Sequence, residues 1–423
     1  MAISNIISAI GNNSSVYPLI LRDCGIEVPT KIALTYNQNK KESKGIAYLA
    51  ARERFLDEYA TSAVWLGGIP LVGWICNKYI KAKGLNPNVN LKLFKEENGI
   101  QGIDYNIKKF AKTAPDAVKD LIKAKENKKL YEKLLAGKFI ASTTIPILFM
   151  GFILPKLIFA SSSKKIDKLR AQENSKNSKN QITFMQKNRF FKSSEPSFTG
   201  SWITKAANFS AQDKMAITDG GYAIGRVTTA RNKNESLDLG FKMSGMMLLN
   251  FVAPKWIEKG LNKITGVKLD PIMLADKNFI QQIKENKLIL PKSDSAKDLL
   301  EFVDNIKNKD SLFIKYAQKF EKIKMLENGI RDPREYIDIK NLGEFRNNIE
   351  EFTKKATNSQ NIDSFIKKAK ISKSANILTN VALSSFLLAY ALPKAQFAFR
   401  KLITGSDLEP GLAPAEKVVD NKA

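Results

Sequence analysis

The stretch FIASTTIPILFMGFILPKLIFA occupies residues 139–160, and Lys156 is its only charged residue. A related stretch, NILTNVALSSFLLAYALPKAQFAF, occupies residues 376–399, and Lys394 is its only charge. At about 1.5 Å per residue, a helix of either length crosses a hydrocarbon layer about 30 Å thick. These two stretches predict an all-α fold, that of a helical integral membrane protein.

Two shorter apolar blocks precede these stretches in the two halves of the chain. Residues 59–77 carry no charge, and their glycines and Pro70 are tolerated in a bilayer, where they allow close helix approach or a bent helix. Residues 240–257 contain Lys242 and Lys255, so this block spans only if both lysines reach the interfaces. Otherwise it lies in the interface as an amphipathic helix. The pattern favours four crossings and leaves open two crossings with interfacial segments, or a monotopic or soluble protein.

The order of short matches indicates an internal repeat. Matching pairs occur in the same order in both halves: Ala51-Arg52 with Ala230-Arg231, Trp74-Ile75 with Trp256-Ile257, residues 107–110 with 349–352, and Leu154-Pro155-Lys156 with Leu392-Pro393-Lys394. Two crossings per copy restore the same orientation, so the predicted fold is a parallel duplication of a two-helix hairpin unit with polar helical loops. Chance similarity among Lys-rich and Ile-rich segments is the alternative.

Composition along the chain divides it into five predicted segments. These are an irregular N-terminal segment (1–44), a first repeat (45–160), a disordered linker (161–197), a second repeat (198–402) with a helical insertion at about 270–340, and a mobile tail (403–423). The first repeat opens with an amphipathic helix, in which Tyr48 and Phe55 belong to the apolar face and Glu53, Arg54 and Asp57 to the charged face.

The formal net charge of +26 favours an anionic partner, although a compositional bias toward Lys, Asn and Ile also explains it. Only 11 of the 68 basic residues are arginines, which disfavours nucleic acid because specific base recognition uses the arginine fork. The predicted partners are therefore the lipid bilayer and its anionic headgroups, together with other membrane proteins. The predicted location is a bacterial cell membrane with most polar loops in the cytoplasm.

Histidine is absent from the chain, which excludes Ser-His-Asp and Cys-His catalysis and histidine metal sites. The two cysteines, Cys24 and Cys76, are too few for a four-ligand metal site. We therefore predict no catalytic residue, no metal and no cofactor, and a protein that is not an enzyme.

Three Pro-Lys pairs recur at the same end of three apolar blocks. They are Pro155-Lys156, Pro254-Lys255 and Pro393-Lys394. Proline can free a helix carbonyl beside a cation and so form a broken-helix anion site. The favoured interpretation is structural: proline kinks or ends the span, and lysine extends to lipid phosphates.

A polar stripe runs along the fourth apolar block. Asn376, Asn380 and Ser384 follow a spacing of four residues, so they share one helix face. Small polar side chains of this kind hold helices together in lipid, and a solute pathway would use the same residues. Residues 219–221 and the glycine spacing of residues 220–227 are interpreted as a turn before a helix, because the sequence lacks the lysine and hydroxyl of a phosphate-binding loop.

The function that these patterns favour is a membrane-anchored, non-enzymatic scaffold or assembly subunit with a basic surface facing anionic lipid. A small-solute or anion transporter built from the two repeats is the alternative, and a nucleic-acid-binding membrane-associated protein is the third. The layout resembles membrane-associated bacterial proteins in general, and no residue role follows from that resemblance.

Overall fold

The computed structural model describes residues 2–11, 22–41, 43–176, 211–406 and 408–410. Within these residues every regular element is helical, and the one isolated β-bridge joins Met325 to Arg331. The all-α prediction is confirmed.

The α-helices have the following bounds in chain order. They are α1 (Ala2–Gly11), α2 (Val28–Asn39), α3 (Lys44–Ala63), α4 (Ile69–Ala82), α5 (Ile103–Phe110), α6 (Pro115–Glu126), α7 (Lys128–Ile147), α8 (Leu154–Lys176), α9 (Ala211–Thr228), α10 (Lys233–Phe251), α11 (Ala253–Thr265), α12 (Pro271–Leu274), α13 (Lys277–Lys284), α14 (Ala296–Asp304), α15 (Leu312–Lys319), α16 (Ile339–Thr357), α17 (Ile362–Phe386) and α18 (Leu392–Thr404).

Three continuous helices are long and apolar enough to cross a membrane. They are Lys44–Ala82, which joins α3 to α4, Lys128–Ile166, which joins α7 to α8, and Ile362–Thr404, which joins α17 to α18. They contain the predicted apolar blocks 59–77, 139–160 and 376–399. The block at 240–257 differs, because Val252 separates α10 from α11. Lys242 is 3% exposed, so it does not extend to an interface as the spanning interpretation required.

Each long helix is interrupted by a π-helical turn, at Val64–Gly68, Leu148–Ile153 and Leu387–Ala391. In every case a proline follows as the second residue of the next α-helix: Pro70, Pro155 and Pro393. Proline cannot donate to the carbonyl four residues earlier, and a wider turn changes the pattern of backbone hydrogen bonds before it. The prolines therefore mark the interruptions without ending the helices.

The long helices pair in the same way in each half. In the first half α3 contacts α2 and α8, and α4 contacts α7. In the second half α10 contacts α9 and α18, and α11 contacts α17. Each half is therefore a helical hairpin whose connection, residues 83–127 or 266–361, leaves at the same end of the bundle.

These two connections pack together as one domain, which we call the loop domain. Gln101 exchanges two hydrogen bonds with the backbone of Ile337, at 2.9 and 3.1 Å. Arg331 is fully buried and contacts Asp304 at 2.6 Å and Asn106 at 3.2 Å. A core of buried aliphatic and aromatic side chains, from Val267 to Ala369, fills the second-half part of this domain and includes two residues at the start of α17.

Several segments that were predicted to be irregular or disordered are helical where the structure describes them. Residues 1–44 were expected to be irregular, but α1 and α2 lie there, since the polar residues of α2 are buried against α3 and give no apolar periodicity. The predicted linker begins within a helix, because α8 continues to Lys176. The rest of that linker, from 177 to 197, and the helix expected at 202–209 lie outside the described residues. Glu409 and Pro410 of the predicted mobile tail contact the bundle.

Candidate functional site: a buried ionic network

Charged side chains gather inside the bundle at the end opposite the loop domain. We call this set the ionic network; its members are Glu27, Lys31, Glu53, Arg54, Asp57, Glu58, Arg226, Arg231, Glu235, Asp238, Lys242, Arg400 and Glu409. They come from α2, α3, α9, α10, α18, the short connections beside them and the segment after α18. Seven are acids and six are bases, so the buried charge is nearly balanced.

Three ion pairs join α3 to residues 226–242 of the second half. Arg226 Nη2 donates to Asp57 Oδ2 at 2.9 Å, Arg231 Nη1 to Glu53 Oε1 at 3.0 Å, and Lys242 Nζ to Glu58 Oε1 at 2.8 Å. All six side chains are at most 15% exposed. Removing charges from water is costly unless they are paired, and these pairs supply that compensation across the interface between the halves.

A second centre forms around Asp238 within the second half. Its carboxylate accepts hydrogen bonds from Arg400 at 2.7 and 3.0 Å and from Gln396 at 2.7 Å. Asp238 and Arg400 are 1% and 0% exposed. This centre fixes α18 to α10, as the contacts of Arg231 with Glu235 fix the start of α10.

The sequence of α3 explains how so many charges reach the interior. Glu53, Arg54, Asp57 and Glu58 lie one helical turn apart in pairs, so they share one face. The sequence pattern suggested an ordinary amphipathic helix, but Phe55 is 49% exposed and the charged face is turned inward. The arrangement is inverted relative to a soluble helix. Apart from Lys31, the residues of other elements that pair with this face lie more than 160 positions away in the sequence, so the pattern of α3 alone does not show that the face is buried.

A cavity of about 40 Å³ lies within the ionic network and is lined by Asp57, Arg226, Asp238, Arg400 and others. Within the described part of the chain, Nε and Nη1 of Arg226, Nη1 of Arg400 and Oδ1 of Asp57 have no hydrogen-bond partner. A polar cavity of this size has room for a few ordered waters that could satisfy such groups.

Glu409 completes the network from the segment after α18. Burial alone would raise its pKa, but Arg400 and Arg54 hold the pKa of this carboxyl below its ordinary value. Glu409 is therefore ionised at neutral pH and bridges two arginines, one from each half.

The prolines and lysines predicted as helix-break positions behave alike on three helices. Pro155, Pro254 and Pro393 are buried, whereas Lys156, Lys255 and Lys394 are exposed. The six residues lie in the first turns of α8, α11 and α18 and do not belong to the ionic network. Their arrangement fits lysines that extend outward from a packed proline.

The polar stripe lies against both ends of α11. Asn376 Nδ2 donates to Thr265 at 2.7 Å, Asn380 Nδ2 to the carbonyl of Pro254 at 3.3 Å, and Ser384 Oγ to Asn380 at 3.3 Å. The same three residues, with Pro254 and Lys373, line a cavity of about 400 Å³. The structure therefore brings one predicted proline and the predicted stripe together.

The glycine-rich stretch forms part of a helix and is not a turn. Residues 219–221 and 225 all belong to α9. A Cβ at Gly225 would lie 2.7 Å from the Cα of Gly151, and one at Gly221 would lie 2.4 Å from Ile147 Cδ1. The spacing of four residues thus serves close helix packing, in the manner of small-residue pairs in membrane helices.

No group of three His, Cys, Asp or Glu side chains able to hold a metal ion occurs within the described ranges. Cys24 and Cys76 are free thiols. Comparison with protein-family models, curated proteins and solved structures gives no significant match.

Proposed function

We propose that this protein is integral to a membrane and acts there as a non-enzymatic scaffold. The observation that carries the proposal is the inverted distribution of side chains in the bundle. Charges are paired inside it, while large apolar side chains face outward. A soluble protein rarely exposes extended apolar surface of this kind.

The outward apolar side chains form what we call the apolar belt. Its members are Leu71, Trp74, Ile75, Ile145, Leu148, Ile153, Leu157, Leu378, Leu383, Phe386 and Tyr390, each 40–61% exposed. The most apolar window of the helix Lys44–Ala82 has none of its residues buried. The described elements of the chain leave this surface uncovered, and lipid would cover it.

Lysines at the loop-domain end of the helices support contact with anionic headgroups. Lys78, Lys81, Lys128, Lys129, Lys367 and Lys368 are exposed near the ends of α4, α7 and α17. Basic residues close to helix ends interact with the negative surface potential of a membrane. A cytoplasmic location of the loop domain would agree with this distribution.

Membrane flotation followed by alkaline carbonate extraction tests the insertion. We expect the expressed protein to stay in the membrane pellet. Release into the supernatant would contradict insertion, and the scaffold and transport proposals with it.

We further propose that the two halves are copies of one unit. The repeated pairing of helices, the π-helical turn before each Leu-Pro-Lys, and the departure of both connections at one end support this relation. In this alignment Pro70 corresponds to Pro254, since each is the second residue of its helix. Trp74 then lies four residues after its proline, whereas Trp256 lies two residues after its own. The match between the two tryptophans therefore does not mark equivalent residues.

Two of the other sequence matches also fall at different places in the two halves. Arg52 lies within α3, whereas Arg231 precedes the N-cap of α10. Residues 107–110 end α5, whereas 349–352 lie in the middle of α16. The proposed duplication rests on topology and on the Leu-Pro-Lys sites.

Transport of a small solute or anion is the second candidate, and the cavity beside the polar stripe favours it. Convergent polar groups in a largely apolar cavity are typical of ligand sites. In proteoliposomes carrying a potassium gradient and valinomycin, a transporter would give an anion flux that Asn380→Leu abolishes while Ile371→Leu, an exposed conservative change, preserves it. A protein that inserts but gives no flux above empty liposomes would leave the scaffold as the proposal.

A further inference from the structure

The segment after α18 closes the bundle at the end opposite the loop domain. Glu409 Oε2 lies 2.8 Å from Arg400 Nη2, and its Oε1 lies 3.5 Å from Arg54 Nη2. Arg54 belongs to α3 and Arg400 to α18. One carboxylate therefore connects the two halves directly.

The backbone of the same segment is also recognised. The amide of Glu409 donates to Asn39 Oδ1 at 3.2 Å, and Asn232 Nδ2 donates to the carbonyl of Pro410 at 3.0 Å. Asn39 is the last residue of α2, and Asn232 is the N-cap of α10. Two residues thus contact α2, α3, α10 and α18 through a carboxylate, an N–H and a carbonyl.

The groups that make these contacts are held in place by the bundle. Asn39 and Arg400 are fully buried. Asn39 Nδ2 donates to the carbonyl of Thr35 at 2.8 Å, and Asn232 Oδ1 accepts from the amide of Glu235 at 2.8 Å. Side chains fixed in this way lose little entropy on binding, which is what a preorganised recognition site requires.

We propose that Asn39, Arg54, Asn232 and Arg400 form a recognition site for an acidic chain segment, and that Glu409-Pro410 occupies this site as an exchangeable clasp. Exchange is feasible because the clasp is short: among residues 408–410 Pro410 alone is buried, and the other contacts described above are ion pairs and hydrogen bonds. Segments with few buried apolar contacts open at low free energy. Since Glu409 lines the small cavity in the ionic network, release of the clasp would give solvent access to the network.

Exchange of the clasp in the full-length chain tests the proposal. Glu409→Lys places a third cation beside Arg54 and Arg400, so the variant should expel its own segment. A fluorescent peptide of residues 405–423 should then bind this variant with a dissociation constant in the micromolar range. Binding should weaken at least tenfold between 50 and 500 mM NaCl. The wild-type chain should not bind the peptide, because its own segment competes at an effective concentration of about millimolar.

Two matched controls make the binding specific. A peptide carrying Glu409→Gln should bind at least tenfold more weakly than the wild-type peptide. Lys401→Ala, added to the Glu409→Lys chain, should leave peptide binding unchanged, since Lys401 is an exposed cation adjacent to Arg400. Equal binding of both peptides, or no binding to a correctly folded Glu409→Lys chain, would overturn the proposal.

Hydrogen exchange provides a second measurement if Glu409→Lys does not fold. In full-length Glu409→Gln, the amides of residues 231–236 should exchange at least tenfold faster than in the wild type, while those of the loop domain should not change. Unchanged exchange at residues 231–236 would refute the clasp. Neither peptide binding nor hydrogen exchange depends on membrane insertion. A failure of the clasp proposal can therefore be distinguished from a failure of the proposed function.

Discussion

Asp57 and Arg226 form a buried ion pair between the halves, with side chains 7% and 5% exposed. Removing one partner leaves the other charge buried and uncompensated. We expect Asp57→Ala to lower the free energy of unfolding by about 3–5 kcal/mol, as measured by thermal or denaturant unfolding in detergent. The double variant Asp57→Leu/Arg226→Met should recover most of that loss, because it removes both charges.

The matched control is the surface pair of Asp116 and Lys119, whose side chains are 95% and 72% exposed. Asp116→Ala should change the stability by less than about 1 kcal/mol, as is usual for exposed pairs. Equal effects of Asp57→Ala and Asp116→Ala would mean that the ionic network does not hold the halves together.

Asp276 in the loop domain predicts a pH dependence of stability. Partial burial acts to raise its pKa, but hydrogen bonds from Lys315, Tyr316 and the amide of Asn278 lower the pKa below the ordinary value. A lowered pKa in the folded state contributes stability above the unfolded pKa of about 3.9, and this contribution is lost as the pH falls further.

Asp276→Asn should therefore destabilise the protein at pH 7, and the difference from the wild type should shrink as the pH is lowered from about 5 to about 3. Asparagine still caps α13, so the comparison isolates the charge. Melting temperatures of both proteins across this range give the measurement. A constant difference at all pH values would show that the ionised carboxylate is not the source.

Residue identity alone could not reveal the ionic network. Glu53, Arg54, Asp57 and Glu58 read as the solvent face of an amphipathic helix, because a sequence pattern does not say which face has partners. The excess of charge on a helix that runs directly into an apolar block was the available indication. In the structure Tyr48 and Phe55, on the apolar face of the same helix, are exposed.

At the scale of elements, the packing of α9 against the first half requires a close contact between two glycines. Gly225 meets the backbone of Gly151 in the π-helical turn Leu148–Ile153. A methyl group cannot be accommodated there without moving α9, since the obstructing atoms are backbone. We expect Gly225→Ala to destabilise the protein by about 1–3 kcal/mol, measured by unfolding in detergent.

Gly137 provides the control for this substitution. It lies inside α7, and a Cβ there would have no neighbour within 4 Å. Gly137→Ala should be neutral or stabilise the protein by up to about 1 kcal/mol, because alanine restricts the unfolded chain and favours helix. A Gly225→Ala protein as stable as Gly137→Ala would contradict the close helix contact.

The long apolar elements could be predicted from sequence, but their details could not. Uncharged length predicted the helices at 59–77, 139–160 and 376–399. The recurrence of Leu-Pro-Lys predicted a helix irregularity. It did not predict the π-helical turn before each proline, because the backbone adjusts to the missing proline N–H in a way that depends on the packing of the neighbouring helices. In the glycine-rich stretch of α9, glycine suggested a turn because its helical packing partner, Gly151, lies in the other half.

At the scale of the whole molecule, the two hairpins share one end. The connections 83–127 and 266–361 read as separate polar segments, because the pairs that join them, such as Gln101 with Ile337, are 236 residues apart. Length and composition do not encode such pairing. The loop domain lies at one end of the bundle and the ionic network lies toward the opposite end. The apolar belt lies between them.

We propose that the apolar belt faces lipid, and the accessibility of position 71 tests this most directly. Leu71 lies in the belt and is 55% exposed. A nitroxide on Leu71→Cys, in a Cys24→Ser/Cys76→Ser background, would report collisions with oxygen and with a water-soluble nickel complex in liposomes. The same label on Lys119→Cys, in the loop domain, is the aqueous control.

We expect frequent oxygen collisions and few nickel collisions at position 71, and the reverse at position 119, because oxygen partitions into the hydrocarbon layer and the nickel complex does not. Nickel accessibility at position 71 equal to that at position 119 would mean that the belt faces water. Protection from both reagents would mean that protein covers it. Either result would contradict a membrane-spanning bundle.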